Sequence, residues 1–272
     1  MNKPSLFALF GNPVAQSLSP LMHSEAFARM GIEAAATAYR VKDAAEVTRM
    51  IRDLGIRGAS VTIPFKESVM ALLDEVETNA LEIGAVNTIV NDAGRLRGYN
   101  TDGPGLVRDL TEWMGIQGKT FVILGAGGAA RAAVCSILKA GGSPVVINRT
   151  AERAQTLADR FGCRRGLLSE INGLQADCLI NATPLGMFPD TSRTPLEEKF
   201  LMHFPQVMDM IYNPAKTRLL REAERAGCSV RSGIGMFVHQ GAEQIRLWTG
   251  KEPPSERMRE VVLKRLEERR GD

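Results

Sequence analysis

The sequence predicts an α/β protein of two domains, and three observations carry that prediction. Short apolar runs alternate with helical patterns along the chain, one of these runs empties into a glycine-rich turn that opens a helix, and the length is 272 residues. At ~100 to 200 residues per domain, that length suits about two domains, each with its own core.

The first apolar run, residues 6–10, ends at Gly11 and is long enough for a buried strand. Ser19-Pro20 marks a helix start, because Ser is a favoured N-cap and Pro suits the first helical position; Gly31 stops this helix after about three turns. Val47, Met50, Ile51 and Leu54 recur at helical spacing. Residues 59–63 form a β-branched run halted by Pro64, hence a strand that delivers Thr62 and Lys66 to its carboxyl end. Runs at 86–90 and 96–99, joined by the turn-forming Asn91-Asp92-Ala93-Gly94, predict a strand pair.

A second unit opens after Asp102-Gly103-Pro104-Gly105 with a helix carrying Leu106, Val107, Leu110 and Met114. Gly118-Lys119 then leads into a strand over 120–124, and further strands at 145–147, 178–181, 207–210 and 229–231 alternate with helices, as a doubly wound parallel sheet requires. Residues 236–248 and 256–270 are expected to be helical. The second of these gathers Met258, Val261, Val262 and Leu266 on one face, the pattern of a packed surface helix.

Composition removes several function classes. Hydrophobic residues at 44% and charged residues at 24% are globular values, which excludes a disordered or fibrous chain. Lys plus Arg at 34 against Asp plus Glu at 31 leaves +3, too even a balance for a nucleic-acid or membrane-surface binder. Cys135, Cys163, Cys178 and Cys228 form no CxxC pair and read as small buried hydrophobes, and His23, His203 and His239 lie at no metal-ligand spacing, so neither a metal nor a disulfide framework is expected. The apolar run after Met1-Asn2-Lys3-Pro4 is shorter than a signal-peptide core, and no stretch approaches the ~20 apolar residues of a membrane span. The expectation is a soluble, cytoplasmic protein in a reducing compartment.

Gly125, Gly127 and Ala130 give the pattern G-x-G-x-x-A between a predicted strand and a predicted helix. Glycines there permit a tight turn and the close approach of a pyrophosphate to backbone N–H groups at a helix N-terminus. A purely structural turn is the alternative, and the strand-to-helix context favours a dinucleotide. An NAD enzyme usually carries an Asp or Glu at the end of the next strand for the ribose 2′-OH. Here that strand runs into Asn148-Arg149-Thr150, with Arg153 one turn later. Two guanidiniums suit a 2′-phosphate, which selects NADP.

Four polar clusters in the first unit, Ser17 with Ser19, Thr62 with Lys66, Asn87, and Thr101 with Asp102, each end an apolar run. Ligands of α/β sheets bind beyond the carboxyl ends of the strands, so these clusters can converge on one polyhydroxylated small molecule. Singly, each also has a structural explanation as a cap, strand residue or turn former. Together they lie in strings that resemble the signature segments of the shikimate dehydrogenase family. These are Gly11-Asn12-Pro13-Val14-Ala15-Gln16-Ser17-Leu18-Ser19-Pro20, Val61-Thr62-Ile63-Pro64-Phe65-Lys66, Gly84-Ala85-Val86-Asn87-Thr88 and Gly98-Tyr99-Asn100-Thr101-Asp102-Gly103. The glycine turn, Asn148-Arg149-Thr150, Asn181-Ala182-Thr183-Pro184-Leu185-Gly186-Met187 and the stretches 209–214 and 233–240 extend the resemblance through nearly the whole chain. Gln16 departs from it, since many members carry His there.

The resemblance implies reversible, NADP-dependent reduction of 3-dehydroshikimate to shikimate in aromatic amino-acid (chorismate) biosynthesis. It also implies an N-terminal substrate domain, 1–103 completed by 236–272, and a Rossmann-like NADP domain, 104–235, separated by a cleft. Lys66 and Asp102 look like the catalytic pair. Ser17 and Ser19 match carboxylate-binding positions, and Thr62, Asn87, Thr101, Asp102, Tyr212 and Gln240 match the rest of the substrate site. Cofactor positions carried over are Gly125, Ala126, Gly127, Gly128, Ala129, Asn148, Arg149, Thr150, Arg153, Met210 and Gly233. A homodimer is the candidate assembly. The rival readings are a quinate or dual quinate/shikimate dehydrogenase, and a non-catalytic metabolite-binding relative, against which the presence of both Lys66 and Asp102 argues.

Overall fold

The computed structural model describes residues 4–271, and the chain divides into two compact units, Met1–Asp102 with Val238–Asp272 and Gly103–Phe237. In the first unit, strands β1 (Ser5–Gly11), β2 (Ala34–Arg40), β3 (Gly58–Val61), β4 (Glu75–Val76), β5 (Thr88–Asp92) and β6 (Arg95–Tyr99) form one sheet in the order β2-β1-β3-β5-β6-β4. β1 is parallel to β2 and β3, whereas β5 runs antiparallel to β3 and β6. Helices α1 (Ser19–Arg29), α2 (Ala44–Asp53) and α3 (Thr78–Ile83) complete the amino-terminal part. Phe7, Ala8, Leu9 and Phe10 are all buried, as a central strand covered on both faces requires.

Two local expectations are corrected here. Ser19 is not the N-cap of α1: Leu18 holds that position without a side-chain bond, and the Ser17 hydroxyl accepts the Ser19 N–H at 3.3 Å instead. The turn closed by the Ser17 N–H on the Val14 carbonyl at 3.1 Å places the Ser17 hydroxyl beside the Ser19 amide. β2 was not anticipated. Its Ala34-Ala35-Ala36 start has helical propensity, yet pairing with β1 along the full register from Ser5 opposite Ala34 to Gly11 opposite Arg40 overrides it.

In the second unit, β7 (Thr120–Leu124), β8 (Ser143–Ile147), β9 (Arg164–Gly166), β10 (Cys178–Asn181), β11 (Gln206–Asp209) and β12 (Ser229–Arg231) are parallel throughout, ordered β12-β11-β10-β7-β8-β9. Read from the other edge, that is the doubly wound order of dinucleotide-binding sheets, with its switch point between β7 and β10. Helix α4 (Asp102–Trp113) enters this unit, followed by α5 (Gly128–Lys139), α6 (Ala151–Phe161) and α7 (Arg218–Arg225). α4 begins at Asp102 rather than after Gly105. Pro104 is tolerated because first-turn N–H groups have no acceptor within the helix. Cys135, Cys178 and Cys228 are buried as expected, but Cys163, just beyond α6, is only half-buried.

The chain leaves this unit along α8 (Ile234–Thr249) and ends in α9 (Ser255–Gly271), whose Met258, Val262 and Leu266 are buried. Val261 is only partly covered. Late in α8 the Trp248 indole donates to the Ile89 carbonyl at 3.1 Å, and its ring lies so close to β3 that a Cβ on Gly58 would fall 2.4 Å from it. Among the described residues no helix is long and apolar enough to cross a membrane.

His23, on α1, packs edge-on to Trp248 with ring centroids 5.1 Å apart. Burial lowers its pKa from 6.5 to about 3. Between those values the unfolded chain takes a proton that the folded chain refuses, so this contribution to stability is full above the unfolded pKa and falls with decreasing pH. At pH 5, about 2 kcal/mol is lost through this residue, from ~1.5 pH units at ~1.4 kcal/mol each. Urea unfolding of the wild type and His23→Gln at pH 7.5 and pH 5 checks the expectation. The stability advantage of the wild type narrows by that amount at pH 5, and a constant gap refutes it.

Candidate active site

In the first unit, the strand ends converge on one buried polar cluster. β3 ends at Val61, short of the expected Ile63, and the chain turns through Ile63-Pro64 so that Lys66 reaches Asp102 at the start of α4, with Nζ and Oδ2 2.5 Å apart. Their side chains are 16% and 8% exposed, so the ion pair is shielded and still reachable by a small molecule. Asn87, 2% exposed at the entry to β5, donates from Nδ2 to Asp102 Oδ1 at 2.8 Å and to Thr101 Oγ1 at 2.9 Å. Its Oδ1 accepts the Thr101 N–H at 2.8 Å, which fixes the orientation of the amide. Gln240, on α8, lies with Oε1 3.4 Å from Asn87 Nδ2. Asp102 therefore has one oxygen on Lys66 and the other on a neutral amide.

Ser17 and Ser19 stand together with their hydroxyls 3.3 Å apart, the first half-buried and the second buried. The backbone carbonyl of Gln16 accepts from Arg269 of α9 at 3.1 Å, so this position holds the serine loop through its main chain. Thr62 donates its backbone N–H to Phe10 at 2.9 Å, and its methyl group lies where a Cβ on Gly11 would be 2.3 Å away. Only glycine lets β1 end so close to the Thr62 strand end. Lys66, Asp102, Asn87, Thr101 and Gln240 are thus in one hydrogen-bonded set, with the Ser17–Ser19 pair and Thr62 in the same unit. Tyr212 belongs to the second unit, stacked on Phe237 with centroids 3.9 Å apart.

In the second unit, the β7–α5 turn is built to admit an anion. Gly125 has φ +119°, a conformation that favours glycine, and its missing side chain leaves the β10 loop at Ala182 within 3.2 Å of where a Cβ would be. Gly127 is the N-cap of α5 and offers no side-chain cap, and Gly128 and Ala129 form the first turn. The first N–H groups of the helix remain for a ligand, with the helix dipole favouring negative charge. At the end of β8, Asn148 donates to the Thr150 carbonyl at 3.0 Å and shapes the turn into α6. Arg149 and Arg153 are exposed, and neither has an ion-pair partner among the described residues. Two unpaired guanidiniums beside a helix start, with no carboxylate at the strand end, fit the phosphate of NADP.

A further anchor, not singled out from the sequence, lies at the ends of β10 and β11. Asp209 accepts from Asn181 Nδ2 and the Ile211 N–H at 3.0 Å each and from Thr217 Oγ1 at 2.6 Å, while Asn181 Oδ1 accepts the Thr183 N–H at 2.9 Å. Burial pushes the Asp209 carboxyl up to about 7, against the opposing pull of these donors. The anchor shapes the loop that carries Met210, whose carbonyl would sit 2.3 Å from a Cβ on Gly233. Met210 and Gly233 are therefore adjacent by necessity. The strings Asn181 to Met187 and 209–214 carried the family resemblance, but an Asp at the end of an apolar strand carries no sequence signal of this anchoring role.

Comparison with known proteins agrees with both halves. A shikimate dehydrogenase substrate-binding domain model matches residues 9–89, a shikimate/quinate 5-dehydrogenase model matches 107–185, and a shikimate 5-dehydrogenase C-terminal domain model matches 233–263. Shikimate dehydrogenase (NADP(+)) of Pyrococcus abyssi is 44% identical over 96% of this chain and 98% of its own. The enzyme of the same name from Moorella thermoacetica is 46% identical over 92% and 89%. The crystal structure of shikimate 5-dehydrogenase from Thermus thermophilus in complex with NADP(H) and shikimate superposes with a TM-score of 0.87 at 39% identity, covering 96% of this chain and 99% of that one.

Proposed function

This chain belongs to the shikimate dehydrogenase family, and on that premise we propose that it catalyses the reversible NADP-linked reduction of 3-dehydroshikimate to shikimate, a step of aromatic amino-acid biosynthesis. The observation that carries the reading is the shielded Lys66–Asp102 pair, 2.5 Å apart and oriented by Asn87. The substrate domain is 1–103 with 236–272 and the NADP domain 104–235, a division supported by the compact units meeting at Asp102/Gly103 and Phe237/Val238. The cytoplasm is its compartment, consistent with its free cysteines.

NADPH supplies the hydride when bound; the residues of the chain do the rest. Lys66 donates a proton to the carbonyl oxygen as negative charge develops there, and its ammonium stabilises that charge before transfer is complete. In the oxidative direction it takes the proton back. Asp102 orients Lys66 and accepts a substrate hydroxyl, while Asn87 holds the carboxylate of Asp102 from the opposite side. Ser17 and Ser19 hold the substrate carboxylate, and Thr62, Thr101, Tyr212 and Gln240 complete the substrate contacts. Gly125, Ala126, Gly127, Gly128, Ala129, Asn148, Thr150, Met210 and Gly233 shape the dinucleotide cradle, and Arg149 and Arg153 grip its 2′-phosphate.

The test is absorbance at the NADPH band with shikimate or quinate and with NADP or NAD, in all four combinations. Shikimate is the preferred acid, because quinate adds a hydroxyl beside the carboxylate that the serine pair must accommodate, and burying an unpaired polar group is costly. The expected kcat/KM ratio is about tenfold or more, the scale of one such unmet group. Equal values for the two acids make the enzyme dual-specific.

A further inference from the structure

Asn87 touches the catalytic pair, and its own surroundings are polar to an unusual depth. Gln244, one turn beyond Gln240 on α8, is 1% exposed, and every polar atom of its side chain is engaged. Its Oε1 accepts from the Ser60 hydroxyl on β3 at 2.9 Å. Its Nε2 donates to Thr88 Oγ1 at 3.0 Å and toward the Asn87 carbonyl at 3.3 Å. The Thr88 hydroxyl, having received that bond, donates to Asn87 Oδ1 at 2.7 Å.

These bonds join Gln244 to Asn87 through Thr88. Because the Asn87 backbone carbonyl can only accept, the amide nitrogen of Gln244 faces it and Thr88, and the amide oxygen takes the Ser60 hydroxyl. A Thr88 hydroxyl that accepts there has one proton to give, and Asn87 Oδ1 at 2.7 Å is a nearer acceptor than Thr101 Oγ1 at 3.2 Å. The Asn87 amide, already oriented by the Thr101 N–H, takes this second bond at Oδ1 and keeps Nδ2 on Asp102, which presents its other oxygen to Lys66. We infer that Gln244 and Thr88 are positioning residues of the reaction: they polarise Asn87 from behind and so fix the geometry of the Lys66–Asp102 pair without touching substrate. Buried amides are expensive unless fully bonded, and Gln244 meets that condition through Ser60, Thr88 and the Asn87 carbonyl. The inference rests on the reading of Lys66 and Asp102 as the catalytic pair.

Thr88→Val keeps the shape of the side chain and removes the hydroxyl, Thr88→Ser restores it, and Gln244→Met keeps the length of the side chain and removes both polar groups. Assayed with shikimate and NADP on enzyme shown by urea unfolding to be folded, Thr88→Val and Gln244→Met each lower kcat about tenfold, the effect of one lost hydrogen bond on a transition state. Thr88→Ser stays near wild type, KM for NADP is unchanged in all three, and the double variant is no worse than the poorer single one, since the two residues act through one bond chain. The pH profile of kcat shifts in Thr88→Val, which loss of packing alone does not produce. Where Gln244→Met does not fold, Thr88→Val and Thr88→Ser carry the test. Lys66→Met is run beside them. If it loses activity while Thr88→Val stays within twofold of wild type, or if Thr88→Ser falls as far as Thr88→Val, or if the double variant multiplies the single losses, the positioning role is overturned and the catalytic reading stands. If Lys66→Met retains its activity, the catalytic reading itself has failed.

Discussion

Lys66→Met lowers kcat by ~10² or more at saturating shikimate while KM rises little, the expected signature of a lost general acid that acts in the transition state. Methionine has nearly the length of lysine and no charge, so the space beside Asp102 stays filled. The geometry favours a catalytic over a merely binding lysine. Lys66 Nζ is held by Asp102 Oδ2 at 2.5 Å, and the residue is anchored through its own backbone, whose carbonyl accepts the Val86 N–H at 2.7 Å. An ammonium fixed this firmly suits the brief accumulation of negative charge on a reacting oxygen. If Lys66 served only to bind ground-state substrate, KM would rise and kcat would be nearly intact; steady-state kinetics with both substrates varied separates the two.

Asp102→Asn tests the same pair from the other side. The substitution keeps the bond from Asn87 only if the new amide turns its oxygen toward Nδ2, and it then presents an NH₂ group to the lysine. The pairing of Lys66 is lost together with a hydroxyl acceptor for the substrate. Because the two residues act as one unit, the double variant Lys66→Met/Asp102→Asn loses no more than about what the worse single variant loses. Losses that multiply indicate two independent roles.

How far the sequence alone reached depended on whether the signal was local. β7 and β10 coincide with their expected bounds because each is a short apolar run between clear breakers, and β12, Ser229-Val230-Arg231, also falls where the alternation of strands and helices puts it. The glycine turn was legible for the same reason: Gly125, Gly127 and the strand before them are contiguous. β2 and β9 were not, since an alanine-led run and Arg164-Arg165-Gly166 become strands only by pairing with β1 and β8. Residues of the candidate site divide likewise. Lys66 and Asp102 lie 36 positions apart, and nothing in spacing or composition says that they meet; the family resemblance supplied that expectation. Gln244 had no signal at all, because a glutamine in an amphipathic helix reads as a solvated residue until β3 and β5 are seen to surround it. The Ser19 cap failed at the smallest scale, where one turn decides which of two serines faces an amide.

Arg149→Ala abolishes most of a preference for NADP over NAD that is itself about tenfold to a hundredfold, the value of ~1.5 to 3 kcal/mol for a charge-assisted contact to the 2′-phosphate. Arg149 and Arg153 stand at the β8–α6 junction, where Thr150 is the N-cap of α6 and makes no side-chain cap bond. A cation at that end opposes the helix dipole, a small cost that an incoming phosphate reverses by pairing with the guanidiniums and with the open helix terminus together. Loss of one arginine therefore raises KM for NADP and leaves kcat/KM with NAD nearly unchanged, since NAD has no group at that place. Arg153→Ala gives a smaller change of the same sign, because its side chain starts one turn farther along the helix. Salt separates this contact from a packing effect: raising ionic strength weakens NADP binding to the wild type and hardly alters it in the double variant Arg149→Ala/Arg153→Ala. Equal kcat/KM for the two cofactors in the wild type would leave the guanidiniums as solvated surface charges and return the choice of cofactor to the rest of the cradle.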